Sequence, residues 1–232
     1  MASPLTRAAT PGRSPLRITR LTVVLEGADT TLAAWRRLDL DTPFQTLEGN
    51  TLDVREALLS GLPGSQALDR TETALTRPSG AVPASHRFIE AQARQVARGG
   101  TDPAEVARAV AEWVEEEVAL DPAGSDHPVA ALERRRASAE GRTALFLALV
   151  RSLAIPARPV AGLRWDGQAF HYHGWVEVRL AGGWLPVDPA LGQFPADGGR
   201  LRLATGVGAD PVGLAPLIGR LRPRVIHVEP GR

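Results

Sequence analysis

The chain has 232 residues, 44% of them apolar, enough to bury a core as one globular domain or one domain with a smaller lobe, which excludes disorder as the starting expectation. Its 27 basic residues, all arginine, are interleaved with 26 acidic ones to a net charge of +1, so no nucleic-acid partner is expected. Cysteine is absent, which excludes disulfides, thiolate metal sites and a thiol nucleophile from the chain as written.

Residues 1–15, with Pro4, Pro11, Gly12 and Pro15, read as a flexible lead-in. They lack the apolar stretch of a secretory leader, and no run is long enough to predict a transmembrane segment. The expected location is cytoplasmic as written, or the envelope or periplasm if a leader has been removed. From Arg17 the pattern changes. Ile18, Leu21, Val23, Val24 and Leu25, with threonines between them, predict a strand, and 35–40 and 51–58 give weaker strand-like runs. Residues 16–78 are therefore read as a small β-rich N-terminal lobe, and 79–232 as a second domain with a C-terminal extension.

Two helices follow. Ser85 can cap a segment in which Phe88, Ile89, Gln92 and Val96 fall at helical spacing and which Gly99-Gly100 ends. Asp102-Pro103-Ala104-Glu105 then offers a capping carboxylate, a proline at the first helical position and an acidic residue three beyond the cap. Val106, Val110, Trp113, Val114 and Val118 form the apolar stripe, with Trp113 a core aromatic, and Glu112 and Glu115 to Glu117 are expected to face water. Residues 121–129, rich in Pro, Gly, Asp and Ser, read as a loop, and Arg134 to Arg136 as a solvated turn.

Ser138 is a candidate cap for a helix that starts at Ala139 and is apolar almost all round, through Leu145, Phe146, Leu147, Leu149, Val150 and Leu153. Such a helix is expected at the centre of the fold, and Ile155-Pro156 breaks it. Asp166-Gly167 between two strand-like runs predicts a hairpin of 158–165 with 168–179. A second turn at Ala181-Gly182-Gly183 leads into Trp184 to Asp188, for a three-stranded meander and an α+β class. The tail from Leu214 to Val228 is expected to pack as a closing strand or helix.

Residues 137–162 contain the apolar helix followed by Leu153-Ala154-Ile155-Pro156-Ala157-Arg158, then come His173-Gly174-Trp175-Val176-Glu177-Val178 and Trp184-Leu185-Pro186-Val187-Asp188-Pro189. In that order and spacing they resemble the nucleophile helix, the His-Ala-Trp-Val-Glu-Val strand and the Trp-x-Pro-Val-Asp-Pro strand of bacterial transglutaminase-like domains, members of the papain-like cysteine-enzyme superfamily. The resemblance implies a papain/transglutaminase-like core with a central helix packed against an antiparallel sheet, filling 79–232. It also implies a Cys-His-Asp triad in which Ala139 stands where the family has its nucleophilic cysteine, with His173 as base and Asp188 as its orienting carboxylate. The physical logic agrees: a helix head lowers a thiol pKa through its N–H groups and dipole, an imidazole takes the proton, and a carboxylate fixes the tautomer.

Alanine has neither lone pair nor ionisable proton, so the chain as written is expected to be inactive, whether the replacement is engineered or natural. Ser138 is a poor substitute, because one residue at a helix start swings the side chain by about 100 degrees and a capping hydroxyl turns towards the helix N–H groups. His171 and His173 share a strand face that invites zinc, but the available third ligands, His127, Glu177 and Asp188, form no metal motif, and no calcium loop is present. No cofactor or metal is therefore expected. The functional expectation is an acyltransferase or amide hydrolase acting on a protein or peptide substrate, and the alternative is a non-catalytic peptide-binding or structural module on the same fold.

Overall fold

The computed structural model describes residues 17–26, 40–62, 68–80, 82–180, 182–206 and 221–231. In chain order its strands and helices begin with β1 (Ile18–Glu26), β2 (Gln45–Glu48), β3 (Thr51–Arg55), α1 (Arg70–Ala74), α2 (Arg87–Ala97), α3 (Pro103–Glu117), β4 (Ala119–Ser125) and α4 (Pro128–Arg134). They continue with β5 (Arg136–Ala137), α5 (Ala139–Ser152), β6 (Ala157–Trp165), β7 (Phe170–Leu180), β8 (Gly183–Val187), β9 (Arg200–Thr205) and β10 (Arg222–Pro230). Helices and antiparallel strands are mixed, as the α+β expectation requires. Two compact units divide the chain: Met1–Ala57 with Pro159–Gly174 and Ala196–Arg232, and Leu58–Arg158 with Trp175–Pro195.

Among the described residues, the regular elements of the first unit are strands. Its antiparallel sheet runs β10-β1-β3-β2. Leu21, Val23 and Leu25 of β1 alternate inward, as do Leu52 and Val54 of β3, because a pleated strand sends every second side chain to the same face. They share one apolar cluster with Ala161 and Leu163 of β6 and Leu201 and Leu203 of β9. β6 pairs antiparallel with β9 from Val160↔Thr205 to Arg164↔Arg200, and its other neighbour is β7. Gln45 is the polar exception in this interior. Its Nε2 donates to the carbonyls of Leu40 and Arg202 at 2.8 and 2.9 Å, and its Oε1 accepts from the Arg202 N–H at 2.8 Å, so the buried amide is bonded at both ends.

On the other face of β1 and β3, the Asp53 carboxylate accepts from Arg20 Nε at 2.8 Å, Thr22 Oγ1 at 2.9 Å and Arg55 Nε at 3.1 Å. Burial pushes this carboxyl up, and the three bonds outweigh it, holding it below its ordinary value. The C-terminal tail is a strand: β10 pairs with β1 from Ile18↔Pro230 to Glu26↔Arg222, and the Gly231 N–H reaches the Arg17 carbonyl at 2.6 Å. Of the weaker strand-like runs, 51–58 contains β3, while residues 35–39 lie outside the described residues, as do 1–15 and 214–220.

The second unit is mostly helical. α5 packs against α2, α3, α4, β4 and β5. From Leu145 to Arg151 every residue of it is buried, which is why no amphipathic stripe can be drawn on its sequence. α3 begins as expected, with Asp102 accepting from the Ala104 N–H at 2.8 Å and Pro103 at the first position. α2 is capped one residue later than expected, at His86, without a side-chain bond, and ends with Arg98 and Gly99 both at positive φ.

Three expectations need correction here. Residues 121–129 are not one loop: β4 runs parallel to β5, and Pro128 opens α4. Proline at the first helical position needs no N–H partner, so the composition that signals a loop also suits this helix start. Arg135 is not merely solvated, because its guanidinium lies 4.5 Å from the Trp113 ring centroid and donates to Gln92 Oε1 at 3.2 Å. Trp113 itself is half-buried rather than core.

The later part of β7 pairs antiparallel with β8 from Leu180↔Gly183 to Val176↔Val187. Trp184 thus faces Arg179. Just before this first pair, Gly182 stands at φ +86, a conformation that glycine adopts without a Cβ clash.

Candidate active site

The head of α5 is built by close backbone packing. Gly124 and Gly141 let it form: a Cβ on Gly124 would lie 2.6 Å from the Ala137 carbonyl carbon, and one on Gly141 would lie 2.0 Å from the Ser125 carbonyl oxygen. The Ser138 N–H donates to that same Ser125 carbonyl at 3.3 Å, so the strand end and the helix start are pinned together. Ser138, 5% exposed, is the cap. Its Oγ accepts from the Gly141 N–H at 2.9 Å and donates to Asp126 Oδ1, so the hydroxyl is engaged in both directions. Ala139 is the first helical residue and is half-buried, and Thr143 returns its hydroxyl to the Ala139 carbonyl at 2.9 Å.

Asp188 follows the last ladder pair of β8 and is 0% exposed. Its N–H donates to the Gln193 carbonyl and the Gln193 N–H donates back to the Asp188 carbonyl, both at 2.9 Å. Within this closed turn the Asp188 carboxylate accepts from the Leu191 N–H at 3.2 Å. His173 lies on β7 and is half-buried, in the share of that strand that belongs to the first unit. Ala139 and Asp188 belong to the second.

A buried side chain that sequence reading missed is among those that join the two segments of the second unit. Arg142, 7% exposed and three residues into α5 from Ala139, donates from Nη1 to the Ala190 carbonyl at 3.3 Å, in the turn that carries Asp188. Its Nε reaches the Val118 carbonyl at 2.7 Å, and Nη2 reaches the carbonyls of Val118 and Glu115 at the end of α3. Burial pulls its pKa down, countered by the nearby Glu115 charge. An arginine amid the apolar run of a central helix was the available signal, since such a group must find acceptors.

The polar residues of the motif strands have structural partners. Arg158 bonds Glu177 through Nε at 2.8 Å and Nη2 at 2.7 Å, and its guanidinium stacks 4.1 Å from the Trp184 centroid. Trp175 is buried, as a core aromatic should be. Glu115 departs from the solvated face expected of it: a Cβ on Gly192 would fall 2.0 Å from its carboxyl carbon, so that carboxylate lies against the turn. His171 bonds Asp166 at 2.8 Å, and among the described residues no three His, Asp or Glu side chains are grouped to hold a metal.

Residues 90–189 match the model of the transglutaminase-like superfamily. Over that span the chain is similar to a transglutaminase-like core. Across the fold it is similar to the crystal structure of "a Putative Cysteine Protease from Cytophaga hutchinsonii", at 16% identity and a TM-score of 0.59, over 92% of this chain and 87% of that one. The periplasmic domain of TgpA from Pseudomonas aeruginosa matches at 17% identity and a TM-score of 0.44, over 80% of this chain and 85% of that one. No curated protein matches the chain. The matched span of the transglutaminase-like core includes α3, the whole of α5 and both motif strands, and it ends one residue after Asp188.

Proposed function

We propose that the transglutaminase-like core is the scaffold of a Cys-His-Asp acyltransferase or amide hydrolase for protein or peptide amides, with position 139 as the nucleophile, His173 as the base and Asp188 as its orienting group. The observation that carries this reading is the start of α5: the residue that the family motif makes cysteine is the first helical residue behind a serine cap. There the helix N–H groups and dipole stabilise a thiolate. Strand parity supports the partners. Carried one residue further, the β7–β8 register sets Asp188 opposite Trp175, and His173, two residues before Trp175, shares its face.

With a sulfur at position 139, the thiolate would attack the amide carbon, and the imidazolium formed from His173 would give its proton to the departing amine. Water or a second amine would then cleave the thioester and regenerate the thiol. With alanine there, the C–S bond cannot form. The chain as written is therefore read as inactive, and the alternative is a non-catalytic peptide-binding or structural module on the same fold.

Ala139→Cys tests the reading. The introduced thiol is expected to react with iodoacetamide at neutral pH faster than free cysteine, with a pKa below about 8.5, and His173→Ala is expected to remove the advantage. A thiol no faster than a surface cysteine would overturn the triad. Amine incorporation and peptide cleavage, assayed on the same variant, separate transfer from hydrolysis.

A further inference from the structure

Arg142 has a geometry that a generic buried arginine lacks. Its planar fork of N–H groups meets three main-chain carbonyls from two separate segments, Glu115 and Val118 at the end of α3 and Ala190 beyond β8. The α3 carbonyls are among those that a helix end leaves without intrahelical donors, and a cation is favoured at that end. The third acceptor has no such explanation in helix capping. It belongs to the turn 188–193, two residues after Asp188.

That turn is held from outside at more than one point. Arg142 takes the Ala190 carbonyl, the Glu115 carboxylate fills the space that a side chain at 192 would need, and Arg108 stacks 5.3 Å from the Phe194 ring centroid. Gly192, at φ +62, makes the close approach of Glu115 possible. From inside, the turn is closed by the Asp188–Gln193 bonds and by the Leu191 N–H on the Asp188 carboxylate. Of the outer contacts, Arg142 is the one that comes from the helix bearing position 139. A displacement of the turn relative to the head of α5 must therefore break or bend its bond to Ala190.

We infer that Arg142 is a positioning residue of the proposed site, fixing the turn that presents Asp188 to the helix that presents position 139. This rests on the triad reading and adds to it how the carboxylate is kept in place. Lysine cannot reproduce the function, because an ammonium on a flexible stem lacks the planar fork that reaches α3 and Ala190 together.

The test uses the Ala139→Cys protein and reads the pH profile of iodoacetamide alkylation together with thermal melting. Arg142→Gln is expected to melt cooperatively while raising the thiol pKa by about one, about a tenfold loss of thiolate near neutral pH. Asp188→Asn is expected to do the same, and combining the two is expected to add little, since both act through one carboxylate. Arg142→Lys should behave like Arg142→Gln, whereas Arg151→Gln, a buried-arginine control on the same helix, should lower the melting temperature and leave the thiol pKa unchanged. A normal thiol pKa in folded Arg142→Gln would overturn the inference, and so would full additivity with Asp188→Asn. If Arg142→Gln does not fold, Arg142→Lys is judged by the same criteria, and failure of both to fold makes the side chain structural and overturns the inference. His173→Ala on the same background separates the two levels: no effect there refutes the triad reading itself.

Discussion

Arg142 and Arg151 lie at the head and tail of α5, 7% and 8% exposed, and both donate to main-chain carbonyls. Their spacing turns them to opposite sides of the helix, about 180 degrees apart. Arg151 bonds the Ala157 carbonyl at 2.9 Å and the Arg77 carbonyl at 3.3 Å, fastening the start of β6 and the chain after α1. Arg142 fastens the end of α3 and the turn bearing Asp188. Burial lowers the pKa of both, and neither loses its charge, because arginine stays protonated in proteins. A helix apolar on all sides can thus carry two cations, provided each ends on main-chain carbonyls. Only the head sits beside the proposed chemistry.

The head of α5 is the more sensitive end, because packing there is backbone against backbone. Gly141→Ala puts a methyl onto the Ser125 carbonyl and is expected to cost about 3 kcal/mol or more, read from urea unfolding. At the tail, Arg151→Met strips donors from two carbonyls and is expected to cost about 2 kcal/mol, with alkylation of the Ala139→Cys thiol unchanged. Altered thiol reactivity in that variant would erase the distinction between the two ends. Ser138→Ala removes the cap on the Gly141 N–H and is expected to cost about 1 kcal/mol, measured by thermal melting.

The smallest effect lies outside α5 and sharpens the contrast by its pH dependence. Because the Asp53 carboxyl is held below its ordinary value in the fold, it contributes stability above that value and loses it as pH falls through the lowered one. Asp53→Asn is expected to flatten the acid limb of stability below about pH 4, while the effects of the two α5 arginines stay the same at neutral and mildly acid pH. An unchanged acid limb would show that Arg20, Thr22 and Arg55 do not stabilise the carboxylate.

What could be read from the sequence follows the range of the forces involved. The bounds of α5 were legible because a serine cap, an apolar run and Ile155-Pro156 are local signals, and Asp102-Pro103 marked α3 as plainly. The β7–β8 hairpin was legible but its register was not, since Ala181-Gly182-Gly183 offers more than one two-residue connection. β2 escaped notice although Gly49-Asn50 between Glu48 and Thr51 is a hairpin dipeptide, because Gln45 faces inward where an apolar residue was sought. Asp69 and Glu72 form a reciprocal capping box that announces α1, but five residues gave too little periodicity to notice. In the candidate site, position 139, His173 and Asp188 could be named from motifs. Arg142 stood out only as an arginine in an apolar helix, and its partners could not be named, because they are carbonyls of residues far along the chain and carbonyls have no signature in a sequence.

The pairing of β1 with β10 has a consequence for how the protein is made. The strand that begins at Ile18 emerges among the first described residues, and the partner that covers its edge is among the last, with the rest of the core between them. Until Arg222 to Pro230 have left the ribosome, β1 has β3 on one side and an open row of N–H and C=O groups on the other. The helical second unit can assemble meanwhile from neighbours close in sequence, whereas this sheet has to wait for its closing strand. A nascent chain stalled before residue 222 therefore presents a sticky edge, the interval in which a chaperone would matter most.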